Sequence, residues 1–158
     1  MKQSTKTERR TVRQLDLERY LGRWYEIARY DNCFERGMDN VTADYSLRED
    51  GKVSVVNSGW KDGKKHVSYG KAKQPDPYGT PGRLRVSFFL FFYSDYDILL
   101  LDEEYRYVLV GSKSDKYLWI LARTPVLPES TVANIVSEAQ KRGYDTSRLI
   151  KVNQSRNL

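Results

Sequence analysis

Apolar and polar residues alternate along most of the chain, which is the pattern of β-strands that bury one face. Residues 41–47 show it most clearly, because an apolar or aromatic side chain occupies every second position. Asp50-Gly51 and Asp62-Gly63 are hairpin signals, and the proline- and glycine-rich stretch 75–82 is a loop. Eight strands at short spacing, joined mostly by hairpins, are typical of an up-and-down barrel or a sandwich. We predict these strands at residues 22–30, 41–47, 52–60, 67–73, 83–88, 96–101, 105–111 and 117–124.

The period changes on either side of this strand region. A turn of helix is expected at residues 15–21, because Leu17, Tyr20 and Leu21 fall on one helical face. Residues 129–142 carry an apolar stripe at helical spacing and precede Gly143, which suits the end of a helix. A last short strand is predicted at residues 149–152. The loop 32–40 is too long for a hairpin, so we expect it to act as a lid.

The composition is that of a globular domain. The chain has 158 residues, of which 39% are hydrophobic and 30% charged, and this length suits one hydrophobic core. No apolar run approaches the roughly 20 residues of a membrane-spanning helix. The net charge of +6 is concentrated in residues 1–14, which contribute +4. We therefore predict a basic, flexible tail over residues 1–14 and a single domain over residues 15–158.

Three motifs on or beside the predicted strands are similar to those of a known family. Gly22-Arg23-Trp24-Tyr25 resembles the G-x-W motif of the lipocalins, Asp102-Glu103-Glu104-Tyr105 resembles their second motif, and Arg123 matches the basic residue of the third. Longer segments resemble the bacterial lipocalins of the outer-membrane lipoprotein type, and the resemblance covers residues 15–152. It implies an all-β fold: an eight-stranded antiparallel up-and-down barrel, or calyx, with one C-terminal helix packed outside. The segments with the strongest resemblance are residues 24–29, 34–37, 86–89, 117–125 and 143–147.

The resemblance also implies which side chains face the interior of the barrel. Trp24 and Arg123 are expected to form a structural latch, with the guanidinium over the indole. Alternation from Trp24 then assigns the inward positions on the other strands. The predicted ligand-lining residues are Ala43, Tyr45, Val53, Val55, Asn57, Val86, Phe88, Ile98, Leu100, Val108, Val110, Tyr117, Trp119 and Leu121. The predicted mouth or lid residues are Phe34, Met38, Leu90 and Phe91, the last two in place of the Gly-Pro that bacterial lipocalins usually carry.

We expect this interior to bind and transport a small hydrophobic or amphiphilic ligand, such as a fatty acid or a lysophospholipid. The inward residues are almost all apolar or aromatic, and an eight-stranded barrel holds about one small ligand. Tyr45, Asn57 or Tyr117 would meet a polar head. The alternative is a core filled by aromatic side chains, without a cavity.

Two other functions stay open from the sequence. An isomerase-type enzyme on the same barrel would need a titratable group aimed inward, and the inward residues include no acid, histidine or cysteine. A haem or tetrapyrrole carrier would be favoured by a coloured protein or by His66, the only histidine, facing the interior. Cys33 has no disulfide partner and no predicted base beside it. We predict no catalytic residue, no cofactor and no metal site. A nucleic-acid partner is not expected, because the positive charge lies in the tail.

The first residues do not resemble a secretion signal, because no apolar segment follows the lysines. We predict a cytoplasmic protein if the sequence is complete, and a periplasmic or outer-membrane protein if an export and lipidation signal was removed. Membrane association is left open, without an anchor in this sequence. The expected state is a monomer or a weak homodimer.

Overall fold

The computed structural model describes residues 7–89, 92–112 and 114–158, so the predicted mouth residues Leu90 and Phe91 lie outside the described residues. Two α-helices, nine strands and two 3-10 turns make up the described chain. They are, in chain order, α1 (Leu17–Tyr20), β1 (Gly22–Tyr30), β2 (Asp39–Leu47), β3 (Val53–Lys61), β4 (Lys64–Lys73), β5 (Arg83–Phe89), β6 (Phe92–Leu101), β7 (Tyr107–Gly111), β8 (Leu118–Ala122), α2 (Glu129–Lys141), a 3-10 turn (Thr146–Arg148), β9 (Leu149–Lys151) and a second 3-10 turn (Ser155–Asn157).

The strands form one antiparallel sheet that closes on itself. Its order is β2-β3-β4-β5-β6-β7-β8-β1-β9, and β1 also pairs with β2, with Trp24 opposite Ala43. The short strand β9 continues along the same edge of β1 beyond β2, with Ala28 opposite Lys151. The predicted eight-stranded barrel with a helix outside is therefore confirmed, and β9 extends it at one edge. We call the end at which residues 31–38 connect β1 to β2 the mouth.

Side-chain alternation divides the buried residues into two clusters. The inner cluster fills the barrel, and the outer cluster lies between the barrel and α2, where Ile135 and Ala139 are fully buried. The register shifts between Ile98 and Leu100, so Leu100 packs with the outer cluster and Leu101 with the inner one. The prediction that Leu100 faces the interior is therefore wrong. An irregularity of this kind interrupts the period of two on which the prediction relied.

The end opposite the mouth is sealed by α1, Trp24 and Arg123. Trp24 is fully buried, and its indole N–H donates to a carbonyl of α1 at 2.8 Å. The Arg123 guanidinium lies 3.8 Å from the centre of the Trp24 ring. It also donates to the carbonyls of Arg19, Arg23 and Tyr105 at 2.6, 3.0 and 3.2 Å. One cation therefore covers the buried indole and ties α1, β1 and the β6–β7 turn together.

Residues 7–16 form a strap along the barrel, whereas the sequence predicted a flexible tail over residues 1–14. Val12 donates its backbone N–H to the Ile98 carbonyl at 2.9 Å. Val12 and Leu15 pack against the inner cluster, and Arg142 donates to two carbonyls of the strap at 3.2 and 2.8 Å. The strap follows the barrel because its apolar side chains find a surface to bury and its backbone finds hydrogen-bond partners.

The helix predicted at residues 129–142 is α2. Its buried residues rest on the outer face of the strands, as the apolar stripe of the sequence predicted. Within the described residues, no helix combines the length and the apolar character needed to cross a bilayer.

Replacing Arg123 with alanine should lower the free energy of unfolding by about 1–2 kcal/mol, because the stacking on Trp24 and the hydrogen bonds to the carbonyls are lost. Denaturant titration measures this loss. Arg48→Ala is a suitable control, since Arg48 pairs with the exposed Asp50 and its loss should have little effect. Ligand affinity should change little in the folded Arg123 variant. Unchanged stability together with a collapse of binding would contradict a structural role for the latch.

Candidate ligand-binding site

Three tyrosines fill the interior towards the sealed end: Tyr20, Tyr45 and Tyr96, which we call the tyrosine floor. The Tyr96 hydroxyl lies 2.6 Å from that of Tyr20 and 3.1 Å from that of Tyr45, so the three form a hydrogen-bonded chain. Burial raises the pKa of all three phenols well above its usual value. The cavity beside these rings has a volume of about 10 Å³, enough for about one water molecule. Aromatic side chains thus fill this part of the barrel, as in the alternative that the sequence left open.

Several inward-facing side chains towards the mouth are only partly buried. Asn57 lies opposite a residue of the inner cluster, so its side chain faces inward, yet it is only half-buried. Tyr117 and Trp119 stack with their ring centres 5.6 Å apart and are also half-buried. Phe88 is 37% exposed and packs over Gly70, where an added Cβ would lie 2.7 Å from its ring. We call the region that these partly exposed side chains occupy above the tyrosine floor the cup.

The remaining predicted lining residues lie deeper than the cup or border it. Val86 packs against the inner cluster and lines the small cavity. At the mouth, Phe34 is 65% exposed and Met38 is half-buried. The predicted lining residues that belong to the buried inner cluster are Ala43, Tyr45, Val53, Val55, Ile98, Val108, Val110 and Leu121.

Three charged residues that sequence reasoning did not place in the interior form a polar cluster there: Glu26, Arg29 and Glu35. Glu26 lies opposite Leu121, and Arg29 lies opposite Trp119, both on the inward face. In a regular strand, residues three apart point to opposite faces, but β1 shifts register between these two, so both face inward. Their side chains are only 5% and 3% exposed. The prediction that the inward residues include no acid is therefore wrong.

Arg29 connects the polar cluster to the loop between β1 and β2. Its Nη1 donates to the Glu26 carboxylate at 3.3 Å, and its Nη2 donates to the main-chain carbonyls of Glu35 and Met38 at 2.8 and 2.9 Å. The Glu35 carboxylate accepts a hydrogen bond from the Trp119 indole at 3.1 Å. Arg29 Nε is buried and lies 3.8 Å from the Glu35 carboxylate, beyond hydrogen-bond reach. Directional polar contacts therefore hold this loop against the mouth.

The pKa of the Glu26 carboxyl is raised well above its usual value. Burial is the largest cause, because the desolvated carboxylate is disfavoured, and the neighbouring Glu35 acts in the same direction. The charge and the hydrogen bond of Arg29 oppose both effects. One guanidinium thus faces two carboxyl groups, and Glu26 keeps its proton at pH values where an exposed glutamate is ionised.

A sequence signal for this cluster exists, although it is weak. Opposite charges at Glu26 and Arg29 interrupt the apolar and aromatic residues of the segment 24–30, which suggests a buried pair. His66 lies opposite Gly59 near the start of β4 and is exposed, and Cys33 is exposed in the loop. The described residues contain no group of three or more histidine, cysteine, aspartate or glutamate side chains that could hold a metal ion.

A family model for the lipocalin-like domain matches residues 15–154. The chain belongs to the lipocalin family. This lipocalin is 46% identical over 147 residues to the outer membrane lipoprotein Blc of Escherichia coli K12, covering 90% of this chain and 81% of that protein. It is 42% identical over 145 residues to Blc of Vibrio cholerae, covering 90% and 85%. Among solved structures, insecticyanin of the tobacco hornworm Manduca sexta matches with a TM-score of 0.76 at 23% identity, covering 92% of this chain and 84% of that one, which supports the fold alone.

Membership of this family supports the binding of a small hydrophobic ligand, and a binding role rather than catalysis. The prediction of a cytoplasmic location is wrong. The Blc relatives are outer membrane lipoproteins by name and point to the cell envelope. Sequence reasoning missed this because it relied on the first residues, while the barrel itself carries no physical mark of a compartment.

The raised pKa of Glu26 in the polar cluster predicts how the free energy of unfolding changes with pH. Above the pKa of an unfolded glutamate, the unfolded chain releases the Glu26 proton while the folded barrel keeps it, so the unfolded state gains stability as the pH rises. The stabilising contribution is complete below the unfolded pKa and is lost as the pH rises through the folded pKa. Within that window the free energy of unfolding should fall by up to about 1.4 kcal/mol per pH unit.

Glu26→Gln should remove this contribution, because its side chain cannot ionise. Denaturant titrations across the pH window compare this variant with Glu49→Gln, which changes an exposed glutamate. The Glu49 variant should follow the wild type. Identical pH dependence in the Glu26 variant and the wild type would argue against a buried, protonated Glu26.

Proposed function

We propose that this lipocalin binds a single-chain amphiphile, a fatty acid or a lysophospholipid, with its alkyl chain in the cup and its polar head at the mouth. The observation that carries the proposal is the accessible aromatic wall of Phe88, Tyr117 and Trp119 above the tyrosine floor. Each CH₂ group that leaves water for such a surface contributes about 0.8 kcal/mol. A linear chain with one polar end suits aromatic side chains in the interior and polar side chains near the mouth.

The polar head should meet the rim of the cup. Asn57 and Tyr117 are half-buried and can exchange hydrogen bonds with a head group. Tyr45, which the sequence analysis also considered for this role, is engaged with Tyr96 in the floor. Arg29 is engaged with Glu26 and with the loop carbonyls, so it is not free for the head.

The Blc relatives support the choice of ligand. A protein of the cell envelope works beside membranes, which are rich in fatty acyl chains. We infer that the amphiphile of this lipocalin comes from envelope lipids.

Two measurements test the function directly. Native mass spectrometry of the purified protein, followed by organic extraction, identifies any amphiphile that comes with it. Adding palmitic acid or lysophosphatidylcholine should shift the intrinsic tryptophan fluorescence, because Trp119 lines the cup, and should displace an apolar fluorescent dye. A flat titration without dye competition would mean that the cup takes no such ligand.

Phe88→Asp should weaken palmitic acid binding about tenfold or more, because it places an unpaired charge in the apolar wall. The fold should survive because Phe88 is already 37% exposed, and circular dichroism checks this. Tyr69→Asp is the matched control. It adds the same charge at an aromatic residue that is 74% exposed. Tyr69 pairs with Val56, which lies between two inward-facing residues of β3, so Tyr69 is on the outer face of the barrel. Equal losses in both variants would argue against binding in the cup.

The tyrosine floor should limit how deep the alkyl chain reaches, because the space beside it is about 10 Å³. Tyr96→Ala should deepen the cup and shift the preference towards longer fatty acids. Tyr78→Ala, at a residue that is 98% exposed, should leave the preference unchanged. Competition between fatty acids of different length measures the effect. The same preference in both variants would mean that the chain does not reach the floor.

A further inference from the structure

A groove outside the barrel lies between the N-terminal strap and the loop that joins β4 to β5. Residues 10–13 form one wall, residues 79–81 and Arg83 form the other, and the volume is about 420 Å³. Small-ligand pockets span about 300–1,000 Å³. The groove shares no residue with the aromatic wall of the cup.

Both walls of the groove are attached to the same residue of β6. Val12 donates its N–H to the Ile98 carbonyl, and Ile98 donates its N–H to the Gly82 carbonyl, each at 2.9 Å. Gly82 packs directly on the strap, since a Cβ there would lie 2.8 Å from the Val12 side chain. Arg142 also donates to the Arg10 carbonyl at 2.8 Å. The groove is therefore held in shape before a ligand arrives, which reduces the cost of binding.

The residues that line the groove include Arg10, Arg13 and Arg83 and no acidic residue, and the nearby Asp76 carboxylate accepts from the Gly79 N–H of one wall at 2.9 Å. Arg10 approaches Glu8 only to 3.9 Å, and its side chain is 70% exposed. Arg83 contacts Asp97 at 3.3 Å, and its side chain is 47% exposed. Arg13 is exposed and makes no ion pair with another described residue. Acidic side chains therefore neutralise only part of the positive charge of the three arginines.

We propose that this groove binds a phosphate group, carried either by a small soluble compound or by a phospholipid head. The planar guanidinium presents its N–H groups in a fork that matches phosphate oxygens, and arginine is preferred for such recognition. Thr11 and Thr80 are also lining residues, and a hydroxyl can donate to a phosphate oxygen. The Thr80 hydroxyl donates to the Asp76 carboxylate at 3.4 Å, a long bond that a phosphate oxygen can replace. The volume leaves room for the group to which the phosphate is attached. This site lies outside the barrel, so it does not depend on the ligand proposed for the cup.

Amide NMR of the intact chain during titration with inorganic phosphate and with glycerol 3-phosphate tests the site. Shifts should concentrate on the amides of Val12, Thr80 and Gly82, saturate, and weaken as salt is added. The double variant Arg10→Gln/Arg13→Gln should bind about tenfold more weakly or worse. The double variant Lys64→Gln/Lys65→Gln removes the same charge from exposed positions on β4 and should bind as the wild type does.

Sedimentation with vesicles distinguishes the two sources of phosphate. The vesicles contain phosphatidylcholine with or without phosphatidylglycerol. Binding of glycerol 3-phosphate without vesicle binding assigns the groove to a soluble phosphorylated compound. Vesicle binding that is lost in the arginine variant and kept in the lysine variant assigns it to a phospholipid head. The proposal is overturned if neither phosphate compound shifts the groove amides and no vesicle is bound, or if both double variants lose binding equally.

Discussion

Closure of the barrel depends on the pairing of strand β1 with three other strands. Its first part pairs with β2 from Gly22 to Tyr25, its last part pairs with β9, and β8 runs along its other edge. The Gln154 side chain donates to the carbonyls of Glu26 and Val41, each at 2.8 Å. It thereby provides hydrogen-bond donors for two backbone carbonyls at the point where the pairing of β1 with β2 ends. Buried carbonyls without partners there would cost stability, so the segment after β9 completes the barrel.

The register shift in β1 also explains why charged groups lie inside an otherwise apolar barrel. Burying Glu26 and Arg29 costs free energy, and their mutual contact offsets part of it. Arg29 further satisfies carbonyls of the loop over the mouth, including that of Met38. The position of the loop thus depends on directional hydrogen bonds, while its Phe34 side chain stays 65% exposed. Rigid polar attachment and an exposed aromatic side chain are combined in one short segment.

The burial of the inward-facing aromatic side chains differs between the two ends of the barrel. Trp24 and the tyrosine floor provide a closely packed sealed end, in which Tyr20 comes from α1 and the other two rings come from strands. The aromatic wall towards the mouth is accessible and contributes less to the buried core. These side chains can stay partly exposed because the sealed end and the outer cluster under α2 supply the buried area that stability requires.

The sequence by itself determined the number and order of the strands, the outer helix and the pairing of Trp24 with Arg123. The strands and the helix follow from local periodicity and turn chemistry, which each segment carries without reference to its neighbours. The pairing of Trp24 with Arg123 is what the resemblance of the motifs to the lipocalins implied. Only the tertiary structure decided that Leu100 faces outward and that Glu26 and Arg29 both face inward, because a register shift is defined by two strands together. It also decided the course of the N-terminal strap, whose partners are distant in sequence. The extent of open space depends on how side chains from separate strands pack against one another, and no single segment encodes that.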